Sequence, residues 1–356
     1  MASSRKSRSS SFIAQPRSTG LEDHNDCLSF LAVCQQSNVD ILPISWQKVR
    51  GLTGKGGTAH VSKSPVHIEF ELAHKRWSWS RFEPFNIDVG TQEMYKAFTL
   101  ETWILTRPAI KNHANIINIE GVCWEFSGKR PASPVLVFEK AHFGDLSRFL
   151  FSSQGRQLSF FERFSICLQI TKAVMHLHTQ RVIHADIKPE NVLIFKDGRK
   201  GLLPKIADFG YSTLVSTENE TMHLASSEPW CAPEMHGRQF TFDNARKTDI
   251  FSLGMVCLWV LFSENILEQA SNHEGIDEAY EEESEKSMSR CRFILKQLKG
   301  SGELVKYTKD LVNETSLLTE PQRVRLTKFF SLTLELNPLD RISDLVLLCS
   351  SLEIPM

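Results

Sequence analysis

Apolar and polar positions alternate through much of the first third of the chain and then recur at a longer spacing. Strand-like runs occupy HVSKSPVHIEFELAHK (60–75), INIEGVCWEF (117–126) and PVLVFE (134–139), with one helix-like patch from Gln92 to Leu105 between them. From Gly144 onward the pattern is mostly helical. Between Phe160 and Leu177, apolar residues at 164, 167, 168, 170, 174 and 177 follow a helical period. The expected fold class is α+β in two lobes. A small antiparallel-sheet lobe with one helix would span about 44–139, and a larger, mainly helical lobe about 144–353. Residues 1–43 read as a tail, rich in Ser and Arg at its start and ending in an apolar segment, Cys27 to Cys34. Two stretches read as insertions: the aromatic, irregular Arg76–Val89, and the acidic run over about 263–289, expected to be a solvated loop.

Composition narrows the class. The 356 residues hold 41 Lys and Arg against 42 Asp and Glu, a formal charge of -1 that favours no nucleic acid partner. Eight cysteines at 27, 34, 123, 167, 231, 257, 291 and 349 show neither zinc-site nor disulfide-framework spacing, as in a reducing cytoplasmic or nuclear setting. The longest mostly apolar run, Ile250 to Phe262, is too short to cross a bilayer, so no membrane span is expected. The N-terminal Ser/Arg bias suits a disordered, modifiable tail, with an organellar transit sequence as the alternative.

The chemistry concentrates in two blocks, HADIKPENVLIF from His184 and KIADFG from Lys205. Phosphoryl transfer asks a protein for a base near the acceptor hydroxyl, oxygen ligands for Mg²⁺ and cations near the phosphates. Asp186 is the candidate base, and Lys188, two residues on, can face the transferring group. Asn191 and Asp208 offer hard oxygen ligands for Mg²⁺.

These blocks resemble the eukaryotic protein kinases, and the order of motifs from Gly54 to Arg341 extends the resemblance over most of the chain. It implies a bilobal kinase-like fold, with ATP and Mg²⁺ as cofactors and a protein with a Ser or Thr hydroxyl as acceptor. The Ser/Thr assignment follows from the lysine at 188 and the Pro189-Glu190-Asn191 after it. Gly54, Gly56, Gly57 and Val61 resemble the glycine-rich phosphate loop, with Ala59 in place of its third glycine. Leu72-Ala73-His74-Lys75 resembles the strand whose lysine meets the α- and β-phosphates. By the same resemblance Glu101 pairs with Lys75, with Glu93 as the alternative. Glu139 and Ala141 would offer backbone groups to adenine, with Phe138 behind the pocket. Asp145 would accept from ribose hydroxyls or cap the helix that follows it. Asp249 should fix the catalytic loop, Arg341 should pair with Glu234, and His184 and Phe209 should stack with Leu105.

The segment from Asp208 to Glu234 closes on Ala232-Pro233-Glu234 and offers hydroxyls at 212, 213, 216, 217, 221, 226 and 227. Ser227 stands where the family usually has a threonine, and Ser226 replaces a glycine. Position 185 is alanine where many members carry the arginine that pairs with a phosphate on this segment. Activity that does not depend strongly on such phosphorylation is therefore expected. Two further readings compete: a pseudokinase scaffold that binds partners without catalysis, and a small-molecule kinase of related fold.

Overall fold

The computed structural model describes residues 25–46, 52–55, 59–63, 72–79, 87–126, 131–198, 201–215, 217, 221–235, 239–271, 283–342 and 345–353. The small lobe contains α1 (Cys27–Gln36), β1 (Ile41–Trp46), β2 (Leu52–Lys55), β3 (Ala59–Lys63), β4 (Leu72–Trp77), α2 (Ile87–Leu105), α3 (Pro108–Lys111), β5 (Ile119–Glu125) and β6 (Ser133–Glu139). Its strands form one sheet in the order β1-β5-β6-β4-β3-β2. All neighbours run antiparallel except β1 and β5, which are parallel. The larger lobe holds α4 (Leu146–Leu150), α5 (Ser153–Arg156), α6 (Phe160–Thr179), β7 (Val182–Ile183), β8 (Val192–Asp197), β9 (Gly201–Ile206) and β10 (Thr213–Leu214). It is completed by α7 (Phe242–Ser271), α8 (Glu283–Ser301), α9 (Leu304–Glu314), α10 (Glu320–Thr333) and α11 (Leu345–Leu352).

The segment read as the end of a tail belongs to the small lobe. Asp26 caps α1 by accepting from the Ser29 N–H, and Phe30 and Cys34, one turn apart, are fully buried. The Phe30 ring lies 6.2 Å from that of Tyr95 on α2. Strand β1 then pairs with β5, where the Val122 N–H donates to the Asp40 carbonyl at 2.8 Å. Gly121 permits this approach, since a Cβ there would meet the Asp40 carbonyl oxygen at 2.8 Å.

The aromatic stretch 76–89 is likewise built into the lobe at both ends. Trp77 and Trp79 are buried, and Trp77 meets Phe98 of α2 edge-on at 6.1 Å. Helix α2 starts at Ile87, five residues before the expected Gln92. Lys75 and Trp77 alternate onto one face of β4, where Glu101 and Phe98 of α2, three apart, meet them. Residues 80–86 lie outside the described residues.

In the larger lobe, α6 opens with a reciprocal capping box between Ser159 and Glu162, whose hydrogen bonds hold the Glu162 carboxyl below its usual range. Helix α7 extends well beyond the apolar run Ile250–Phe262, because the flanking polar residues are helical too, and it kinks at Phe262. By length and composition Phe242–Ala270 could cross a membrane, which the 13-residue reading did not anticipate. Here 83% of its most apolar window is buried inside the domain, as the core of the larger lobe. Gly254 lets α10 press on this helix: a Cβ there would come within 2.5 Å of the Thr333 hydroxyl oxygen. The acidic stretch about 263–289 is helical at both ends, in α7 to Ser271 and in α8 from Glu283. Its centre, 272–282, and the tail 1–24 lie outside the described residues.

Candidate active site

The catalytic loop is held from below by one carboxylate. Asp249, buried on α7, accepts from the His184 N–H on one oxygen and the Ala185 N–H on the other, each at 2.9 Å. His178 of α6 adds a third contact to Asp249 at 2.9 Å. Two successive N–H groups can converge on one carboxylate because Ala185 has a left-handed backbone, φ 66°. Non-glycine residues rarely adopt it, and Asp208, φ 65°, shares it. Ala185 thus contributes its backbone to the site while its methyl leaves the chemistry untouched.

This frame presents Asp186. One carboxylate oxygen accepts from the Ser227 hydroxyl at 2.6 Å. The other accepts from Lys188 at 2.6 Å and from the Asn191 amide N–H at 3.0 Å. Asn191 also donates to the Asp186 carbonyl, which leaves its amide oxygen on the opposite side. The Asn191 carbonyl accepts from the Ala207 N–H at 2.9 Å, placing Asn191 beside the residue before Asp208.

The second constellation crosses between the lobes. Lys75 donates to Glu101 at 2.6 Å and to Asp208 at 2.7 Å. Glu93 is exposed, so the pairing falls to Glu101. Burial opposes the Lys75 charge, but the carboxylates of Asp208 and Glu101 outweigh it and hold the ammonium above its ordinary range. One cation serves two acids in a poorly solvated site, and they respond differently. Burial raises Glu101, whose side chain is 1% exposed, despite Lys75. Burial also works against Asp208, but Lys75 overcomes it and depresses that carboxyl. The Phe209 N–H donates to Glu101 at 3.3 Å, locking α2 to this turn. The His184 and Phe209 rings meet edge-on at 4.9 Å, both fully buried in the core that includes Leu105.

Around the expected nucleotide edge, Glu139 turns its carboxylate to Lys205 at 2.6 Å and to the Asn118 N–H at 3.0 Å, leaving backbone alone for a ligand. Lys205 carried no sequence signal for this role. Asp145 caps α4, accepting from the Arg148 N–H at 3.0 Å and from the Ser147 hydroxyl. Ala141 is partly buried against the core just after β6. Gly54 lies in β2 opposite Val61 of β3, which in turn lies opposite Lys75 on β4. Gly56 and Gly57 lie outside the described residues, as does Ser216.

Of the hydroxyls expected to be available in the switch segment, Thr221 donates to the Gln239 amide oxygen at 3.3 Å, and two more are engaged at the loop that carries Asp186. Ser212 is buried and donates to the His184 carbonyl at 3.2 Å, and Ser227 is bonded to Asp186. At the far end Arg341 grips Glu234 with two parallel bonds of 2.6 and 2.8 Å.

Among the described residues, no three His, Cys, Asp or Glu side chains form a closed metal cage. Asn191 and Asp208 suit a different arrangement, in which a hard cation takes few protein oxygens and completes its shell with phosphate and water. A carboxylate cradled by a lysine and an amide, beside a lysine–carboxylate triad in a two-lobed fold, matches the class of protein kinases. The chain belongs to that family: the profile described as "Protein kinase domain" matches residues 53–350. The chain is 34% identical over 237 residues to a G-type lectin S-receptor-like serine/threonine-protein kinase of Arabidopsis thaliana, covering 58% of this chain and 25% of that protein. It is 29% identical over 237 residues to the Arabidopsis thaliana receptor-like kinase TMK2, covering 64% and 24%. It is 29% identical over 217 residues to cysteine-rich receptor-like protein kinase 11 of the same plant, covering 58% and 28%. The chain thus spans about a quarter of the length of these relatives. Helix α1 and strand β1 precede the family match.

Proposed function

We propose that this chain is an active serine/threonine kinase that moves the γ-phosphoryl group of ATP to a protein hydroxyl. The observation that carries this reading is the Lys75 ammonium bonded at once to Glu101 and Asp208. That arrangement needs both lobes in register, which is the condition for phosphate placement in this family.

In the proposed reaction Asp186 accepts the proton of the acceptor hydroxyl as the new oxygen–phosphorus bond forms. The bond from the γ-phosphorus to the bridging oxygen breaks, and ADP leaves with that electron pair. Lys188, already on Asp186, offsets charge on the transferring group. Lys75 would serve the α- and β-phosphates, Gly54, Gly56, Gly57 and Val61 would cover them, and Glu139 and Ala141 would meet adenine through backbone. Asp145 would add a ribose contact beside its capping bond. Asn191 and Asp208 would hold Mg²⁺, which would supply positive charge against the phosphates.

The test is transfer of label from ATP with Mg²⁺ to protein acceptors of mixed composition. Asp186→Asn should lower the rate by roughly 10²–10⁴-fold, the worth of a positioned base. Equal labelling by both proteins would defeat the catalytic reading and leave the scaffold.

A further inference from the structure

Two glutamates stand next to the groups that touch the base. Glu190 precedes Asn191, and Glu228 follows Ser227, so each lies one residue from a partner of Asp186. A chain that brings its hydroxyl to Asp186 must therefore approach the two segments that carry these glutamates. Unpaired, they would draw basic side chains to either side of the hydroxyl.

Neither is unpaired. Helix α8 supplies a cation to each: Arg292 pairs with Glu190, and Lys299 pairs with Glu228 at 2.5 Å. Lys299 is buried and also donates to the carbonyls of Pro229 and Cys231, both at 3.0 Å, so it is committed to holding that segment. Lys296 is exposed and close enough to contribute, after Lys299, to holding the Glu228 carboxyl below its usual range against the effect of burial. Arg292, Lys296 and Lys299 stand at i, i+4 and i+7, one face of α8. Arg292 is 42% exposed and bonds Glu190 at a single nitrogen, while its Nε–H is buried. With Lys188 on Asp186, the cations Lys188, Arg292, Lys296 and Lys299 accompany the carboxylates Asp186, Glu190 and Glu228.

We infer that α8 makes this acceptor groove select hydroxyls flanked by acidic side chains, with Arg292 and Lys296 as the specificity-determining residues. This rests on the kinase reading above. A salt bridge that merely fastens α8 to the catalytic loop would hold Glu190 equally well but would leave acceptor choice indifferent to flanking charge.

Three synthetic peptides separate these outcomes, each with the same central serine flanked by Glu, Ala or Arg. Binding to the full Asp186→Asn chain is read by fluorescence anisotropy, and phosphorylation by the unmodified chain as kcat/KM. The Glu-flanked peptide should be favoured over the Arg-flanked one by about tenfold in both, a difference of about 1.4 kcal/mol. The margin should shrink as salt rises. Arg292→Glu with Lys296→Glu should invert the order. Lys296→Glu alone, at an exposed position, should narrow it even if the double variant is too unstable to assay. Equal or Arg-favouring binding by the unmodified groove would overturn the inference, as would an order unmoved by Lys296→Glu. Acid-selective binding without phosphorylation would instead remove the kinase reading and leave the groove assignment standing.

Discussion

His184 shows how one residue links catalytic geometry to stability. Its Nδ1 accepts from the Asp186 N–H at 3.3 Å, and its Nε2 lies 3.1 Å from the Ala207 carbonyl, which requires a proton on Nε2. The neutral ring satisfies both, and a second proton would displace the Asp186 N–H. Burial, the largest influence, depresses the ring from its ordinary 6.5 despite nearby Asp249, Asp186 and Asp208. The unfolded chain therefore binds this proton more readily. The stability contribution is fully present above pH 6.5 and is lost as pH falls from there through the folded-state value. His184→Phe should lower the melting temperature at pH 7.5 yet lose less on acidification to pH 5.5 than the unmodified chain, by at most about 1.4 kcal/mol, because only one pH unit lies between 6.5 and 5.5. Parallel melting curves would remove this assignment. Arg341 is the structural counterpart, with its guanidinium 0% and its partner Glu234 7% exposed. Arg341→Ala strands a buried carboxylate and three backbone carbonyls. Urea denaturation should show a loss of about 3–5 kcal/mol, and a loss under about 1 kcal/mol would contradict the buried pair.

At the scale of elements, α2 is the part with most depending on its position. It carries Glu101 on one face, Phe98 against Trp77 on an adjacent one, and Tyr95 against α1. Helix α1 lies outside the family match and braces the helix that holds the lysine's partner. Phe30→Ala should cost about 3–5 kcal/mol by emptying a filled core site. Hydrogen exchange should rise most at residues 94–101, and exchange confined to α1 would show that the brace is passive. The i, i+4 spacing of Phe30 and Cys34 was a readable helical signal. What covers them was not readable, since the contact joins segments some sixty positions apart. Strand β1 was hidden similarly: its partner β5 is distant, and only Gly121 hints at a close approach.

On the scale of the whole molecule, the switch segment's described residues are held by contacts from within the chain. Ser212 holds its start to the catalytic loop, Arg181 brackets Val215 through backbone and guanidinium, and Lys299 fixes its end. None of these requires a phosphate, and position 185 beside the loop is alanine. Phosphatase treatment of the purified chain should therefore change its transfer rate by less than about twofold, against the larger effects expected where new charge-assisted bonds order the loop. Abolished activity would show that another cation receives a phosphate here.

The amino-acid sequence by itself determined the local chemistry. His184 to Asn191 and Asp208 to Gly210 are short, their side chains lie within a few bonds of their backbone anchors, and loop geometry follows from such short-range constraints. It also determined the two-lobed order of elements, since strand and helix periods differ. Only the tertiary structure decided between Glu93 and Glu101, which sit about 80° apart round the helix axis. The choice depends on which face meets β4. Packing likewise decided that α7 is a core helix, that Trp77 and Trp79 are interior, and that the glutamates beside the base already have cations from α8. Each of these rests on contacts between residues far apart in the chain, whose free energy comes from burial and charge pairing that no local pattern encodes.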